Sequence, residues 1–320
     1  MLTIRKSGMQ TTVQDLGRTG FQQYGVVASG AMDPYALRMA NLLVGNEENA
    51  AALEITLMGP SIHFVEDHVI SICGGNLTPQ LDSKVVGCWR AIPVAKGQAL
   101  TFGKPRTGSR CYVAVAGGID VPAVMGSRST YTRAELGGYQ GRALESGDQL
   151  AIGEASAVQK SAAQNGSWFV PSPSYSSNPV IRITKGRQFE LFSEQSRKHF
   201  LSETFSVNSQ SDRMGYRLDG PRLALAEAQE MTSEAVVFGS IQVPVDGNPI
   251  ILMADRQTAG GYPKIAEVVT VDLPLISQLK PGDRLRFKEV SVEEAQHLLK
   301  LQEKKINRLK RAIKYKREET

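Results

Sequence analysis

The residues best placed to do chemistry lie between positions 240 and 264. Asp255, Arg256, Gln257 and Thr258 stand at the end of an apolar run, Ile250 to Ala254, and Gly260, Gly261, Tyr262, Pro263 and Lys264 follow. A carboxylate, two cations, an amide and a hydroxyl thus collect where a strand gives way to a glycine-rich turn. Loops of this kind on rigid scaffolds commonly carry function. The glycines remove side chains, so backbone and ligand can approach closely. Gln242 and Asp246 come just before and suit the same floor. Gly-Gly is also a plain turn signal, so the stretch reads equally as a tight hairpin with solvated polar residues.

Three further polar clusters stand out. Thr11-Thr12-Val13-Gln14-Asp15-Leu16-Gly17-Arg18 leads to Ser29-Gly30-Ala31-Met32-Asp33, and Asp15 and Arg18 can pair with each other. Gly126-Ser127-Arg128-Ser129-Thr130-Tyr131 places Arg128 among hydroxyls. The planar guanidinium binds two oxygens at once and suits carboxylate or phosphate, although a surface salt bridge fits Arg128 as well. Ser211-Asp212-Arg213-Met214-Gly215-Tyr216-Arg217 reads as a capped turn carrying two cations.

Absent motifs narrow the chemistry. No phosphate loop ending in Gly-Lys-Ser or Gly-Lys-Thr and no dinucleotide fingerprint occur. No Gly-x-Ser-x-Gly elbow is present either. The 4 histidines form no metal-ligand pattern, His63 and His68 being five apart in a strand-like context. Cys73, Cys88 and Cys111 are odd in number and lack a Cys-x-x-Cys pair, which argues against a disulfide framework or a structural zinc site.

These residues need elements to position them. A chain of 320 residues exceeds the usual single core, so two domains are expected. Short apolar runs separated by Gly, Pro, Asn and Asp predict a mainly β protein of barrel or sandwich type. One helix is well marked: Asp33 caps it, Pro34 suits its first position and Gly45 stops it. A turn glycine followed by an alternating strand start recurs at Gly97-Gln98-Ala99-Leu100, Gly147-Asp148-Gln149-Leu150 and Gly282-Asp283-Arg284-Leu285. The repeats read either as convergent strand-entry turns or as traces of two similar β domains in tandem. The expected division is 1–155, a linker over 156–179, 180–290, and a basic helical tail over 291–320 opened by the capping box Ser291-Val292-Glu293-Glu294. Much of the net charge of +5 sits in that tail, so the body is near neutral and neither nucleic acid nor membrane is expected as a partner. With no signal sequence and no spanning run, a cytoplasmic location is the expectation.

Taken in order, the motifs at 11–18, 29–33, 114–122, 126–130, 213–218, 241–250 and 254–265 resemble the KipA family. This is the family of the bacterial 5-oxoprolinase C subunit, also described as allophanate hydrolase subunit 2 or biotin-dependent carboxyltransferase-like. The resemblance covers about residues 1–290. It implies tandem cyclophilin-like β-barrels. It also implies work with a KipI-like B component and a LamB/YcsF-like A component to convert 5-oxo-L-proline to L-glutamate with ATP and magnesium. Two other readings stay open: a regulator that antagonises a KipI-like inhibitor of a histidine kinase, and the carboxyltransferase component of a biotin-dependent urea carboxylase-like system. No Ala-Met-Lys-Met site is present, so no biotin is expected on this chain. Opening a lactam with ATP calls for cations facing developing charge and phosphate, and for polar groups that orient the ring. Arg128 and Lys264 are the expected cations. Asp255, Gln257 and Thr258 would orient substrate, Gln242, Asp246 and Ser127 would line the floor, and Gly260 and Gly261 would allow close approach.

Overall fold

The computed structural model describes residues 1–156, 159 and 169–318; part of the expected linker, Trp168 included, lies outside them. The chain divides into two compact units: 1–18, 29–174 and 306–320 form the first, and 19–28 and 175–305 the second. The division departs from the expected boundaries in two places, since 19–28 counts with the second unit and 306–320 with the first. The reason for the latter is local. Helix Val292–Glu318 is continuous, and its later part buries Ile306 and Ile313 and pairs Lys310 with Glu48 at 3.0 Å. Its start follows the capping box, with Ser291 Oγ accepting from the Glu294 amide at 3.1 Å.

The first unit is built of a seven-stranded and a five-stranded sheet. Alternation along Leu2–Lys6 turns Leu2 and Ile4 into one core with Phe64, Ile72, Val113 and Leu150, all fully buried. Strand Thr107–Val115 is buried along most of its length because helix Pro34–Val44 packs against it and against His68–Asn76. That explains its continuous apolar run, since a strand covered on both faces has no solvent side to make polar. The helix is held as its sequence predicts. Asp33 accepts from the Ala36 amide at 2.9 Å, and Gly45 ends it at φ 75°, a left-handed value that favours glycine. Ser71 Oγ donates to the Ala40 carbonyl at 2.6 Å, satisfying a hydroxyl that would otherwise be stranded beneath the helix.

The second unit is a closed barrel. Its strands run in the order Val180–Lys185, Lys264–Val268, Ser240–Gln242, Ile250–Leu252, Gly215–Asp219, Phe205–Val207 and Arg284–Glu289. A parallel pairing of Val180–Lys185 with Arg284–Glu289 closes it, so the barrel itself has no open edge. Phe200, Phe205 and Phe287 stack with centroids 4.5–6.2 Å apart in its core.

The recurring glycine turn is one structure made three times. Gly97, Gly147 and Gly282 have φ of 90°, 97° and 87°. The next side chain accepts the amide three residues back: Gln98 from Ala95 at 2.8 Å, Asp148 from Glu145 at 2.7 Å and Asp283 from Lys280 at 3.1 Å. Each turn enters a strand, and it occurs in both units.

Candidate functional site

In the second unit, strand Ile250–Leu252 delivers Asp255 to a buried position. The ladder continues past the strand, with the Asp255 amide donating to the Arg213 carbonyl at 2.8 Å. The Asp255 carboxylate takes both arms of the Arg213 guanidinium, Nε at 2.8 Å and Nη2 at 2.9 Å. This bridge ties the signature loop to the turn at 211–215. Asp255 therefore sits in a structural ion pair. Two of the other expected substrate groups lie further along the loop: Gln257 is exposed and Thr258 half-buried. Asp246 is exposed on a separate turn, where its Oδ1 accepts from the Asn248 amide at 3.0 Å.

Gln242, Gly260 and Lys264 come together. Gln242 and Lys264 are register partners across two strands. Gly260 pairs with Glu234 in a two-stranded ribbon, and a Cβ there would lie 2.6 Å from Gln242 Nε2, so a larger residue would have to push that amide aside. Gln242 is buried and donates to the Tyr262 carbonyl at 3.3 Å. Lys264 Nζ reaches Glu234 Oε2 at 3.1 Å and the Ala235 carbonyl at 3.2 Å. Gln188 completes the cluster. Its Nε2 donates to Glu234 Oε1 at 3.1 Å, and its Oε1 accepts from the Lys264 amide at 3.1 Å. The hydrogen bond from Lys264 holds the Glu234 carboxyl below its usual range. Beside the ribbon, Phe192, Leu223, Met231, Val243, Tyr262 and Pro263 help to line an apolar cavity of about 540 Å³, which Gly261 also borders. Glu234 and Gln188 stand in no patterned motif, so the sequence does not point to them.

Ser127 and Arg128 belong to the first unit, around Asp15. The Asp15 carboxylate accepts from Ser127 Oγ at 2.7 Å, Ser129 Oγ at 2.5 Å, the Gly17 amide at 2.8 Å and the Arg128 amide at 2.6 Å. Arg128 itself is exposed, with Nε donating to the Val121 carbonyl at 2.9 Å. Arg18 is buried and donates to the Ser129 carbonyl. Gly137 and Gly138 cover this node with positive φ, and a Cβ on Gly138 would lie 1.9 Å from Thr130 Oγ1. Nearby, Glu54 fixes the 29–33 motif by accepting from the Met32 amide at 2.9 Å and from the Tyr112 hydroxyl at 2.7 Å.

Among the described residues no group of three or more His, Cys, Asp or Glu is placed to hold a metal. Burial pushes the Cys88 thiol up to about 11 and the Cys73 and Cys111 thiols well above their usual value, so none is an activated nucleophile. No helix among the described residues is long and apolar enough to cross a membrane.

Comparison with known proteins places these motifs in a family. Residues 24–289 match the carboxyltransferase domain, subdomain A and B. The chain is 41% identical to the 5-oxoprolinase C subunit of Escherichia coli strain K12, over 92% of this chain and 93% of that protein. It is 37% identical to the 5-oxoprolinase C subunit of Haemophilus influenzae, over 98% of this chain and 99% of that protein. Its fold matches the crystal structure of the Kluyveromyces lactis urea amidolyase with a TM-score of 0.88 and 33% identity, covering 96% of this chain but 20% of that one. This chain belongs to the family of the carboxyltransferase domain, subdomain A and B.

Proposed function

We propose that the chain is the C subunit of a 5-oxoprolinase that converts 5-oxo-L-proline to L-glutamate with ATP, together with a KipI-like B component and a LamB/YcsF-like A component. The observation that carries this reading is the near end-to-end match to two proteins named as the C subunit of 5-oxoprolinase. The match to the urea amidolyase, by contrast, takes in a fifth of that chain.

The cluster in the second unit supports it chemically. A lactam resists attack until negative charge on its carbonyl oxygen is stabilised. Lys264 supplies a cation whose position Glu234 and Gln188 fix. The Gln242 carboxamide carries both a donor and an acceptor, and Gly260 leaves the backbone open beside it. Asp255 acts through Arg213 to hold the loop. We assign Gln257, Thr258 and Gly261 to substrate contacts at the loop's open side; Arg128, held beside Ser127 and Asp15, stays a proposed catalytic cation of its own cluster. Asp246 shapes its own turn. The two expected cations are already engaged, Lys264 with Glu234 and Arg128 with the Val121 carbonyl.

The test is glutamate formation from 5-oxoproline and ATP by the other two components, with and without this chain. The proposal expects glutamate only when the chain is present; turnover independent of it overturns the reading. A second reading, carboxyl transfer from a separate biotin carrier, is favoured by the fold's likeness to urea amidolyase. It predicts carboxylated product when a carboxybiotin carrier is supplied.

A further inference from the structure

Among the described residues of the second unit, the buried side-chain atoms left without a hydrogen-bond partner are Arg256 Nε and Glu267 Oε2. One is a donor and the other belongs to a carboxyl group. Buried polar atoms are nearly always satisfied, so an orphaned pair in one unit asks for an explanation.

The two groups flank the same short segment, Phe238 to Ser240. The Arg256 guanidinium carbon lies 5.8 Å from the centroid of the Phe238 ring. Ser240 is the register partner of Glu267, and its hydroxyl, which accepts from the Val237 amide at 3.0 Å, bonds the Glu267 carboxyl. Arg256 is only 8% exposed, and its Nη1 is spent on the Met253 carbonyl at 3.3 Å. Phe238 and Glu267 are half-buried, while the two unpartnered atoms themselves lie beneath the surface. Arg256 follows Asp255 directly, and Glu267 lies on the strand of Lys264, so the pair shares both elements of the cluster described above.

The two charged groups lie near enough to act on each other, and a group that satisfies both atoms offers an acceptor to Arg256 Nε–H and a donor to Glu267 Oε2. An ordinary secondary amide is trans and points its carbonyl oxygen and N–H in opposite directions. A lactam ring locks the amide cis and sets the two side by side. We infer that Arg256 and Glu267 form a two-point reader for the cis amide edge of a lactam. This rests on the 5-oxoprolinase reading and deepens it by naming the groups that recognise the ring. Burial pushes the Glu267 carboxyl up and the Arg256 guanidinium down, in keeping with charges held out of water and short of full pairing.

The test uses the full chain alone and two probes, 2-pyrrolidinone and N-methyl-2-pyrrolidinone, the second lacking the N–H. Affinities are read by saturation-transfer NMR. The inference expects the N-methyl probe to bind at least roughly tenfold more weakly, because it leaves Glu267 unmet. Glu267→Met and Arg256→Met should each weaken 2-pyrrolidinone by roughly tenfold, whereas Glu267→Gln, which keeps an acceptor, should stay within about threefold. Equal binding of the two probes, no binding of either, or unchanged affinity in the Met variants overturns the inference and leaves the orphaned atoms to buried water. The probe comparison needs no variant, so misfolding of a mutant cannot mask the answer. Lactam binding without glutamate formation in the assembled enzyme would sink the functional reading and keep this site. Glutamate formation with indifferent probes would do the reverse.

Discussion

Asp15 in the first unit and Asp255 in the second are both almost fully buried, yet they are satisfied by different means. Asp15 accepts from two serine hydroxyls and two backbone amides, each a separate neutral donor. Asp255 accepts from both arms of one guanidinium. The first arrangement spreads the anion's solvation over several segments, and no single neighbour decides it. The second concentrates much of it in one charged partner, whose two arms reach the carboxylate across 42 residues of chain. A distributed anchor fails gradually, and a paired anchor fails at once.

Removing one partner from each anchor should expose that difference. Arg213→Ala strips Asp255 of its bidentate partner and should cost about 3–5 kcal/mol, the usual penalty for leaving one member of a buried pair uncompensated. Urea unfolding of the variant checks it. The double variant Arg213→Met with Asp255→Leu should recover most of the loss, since an apolar pair of similar volume often replaces a buried ion pair without penalty. Ser129→Ala removes one of several donors to Asp15 and should cost about 1.5–3 kcal/mol, as for one hydrogen bond to a charged group. Equal losses in Arg213→Ala and Ser129→Ala would erase the contrast.

The Lys264–Glu234 contact is a third kind of anchor, half-open to solvent, and pH should reveal it. The Lys264 hydrogen bond lowers the folded value of Glu234 below the ordinary 4.5. Its stabilisation is therefore fully present above that ordinary value and is lost as pH falls through the lower folded value. Comparing melting temperatures of the wild type and Glu234→Gln across this acid range should show the gap between them closing as pH falls. A gap that stays constant means the contact contributes nothing through ionisation.

Local rules carried part of the structure. Asp33, Pro34 and Gly45 delimit the first helix from sequence because cap, first turn and stop are all short-range. The three glycine turns are legible for the same reason, since the side chain and the amide it accepts are three residues apart. The cluster around Gln242, Gly260 and Lys264 was partly legible because strand ends and Gly-Gly punctuation mark it. Its remaining members are not. Gln188 meets Lys264 across 76 residues of chain, and Arg213 finds Asp255 across 42, through strand pairings that no local pattern announces. The Asp15 node, joining Ser127 and Ser129 across 112 and 114 residues, is hidden for the same reason. Asp246 shows a short-range contact instead: its carboxylate accepts from the amide two residues on.

The most direct measurement is glutamate release by the three-component enzyme rebuilt with Lys264→Met in this chain, beside the wild type. The account predicts a fall in turnover of roughly a hundredfold or more, the scale expected for losing a group that stabilises developing negative charge, with the variant still folded and still assembling. Full turnover in the folded, assembled variant would contradict it.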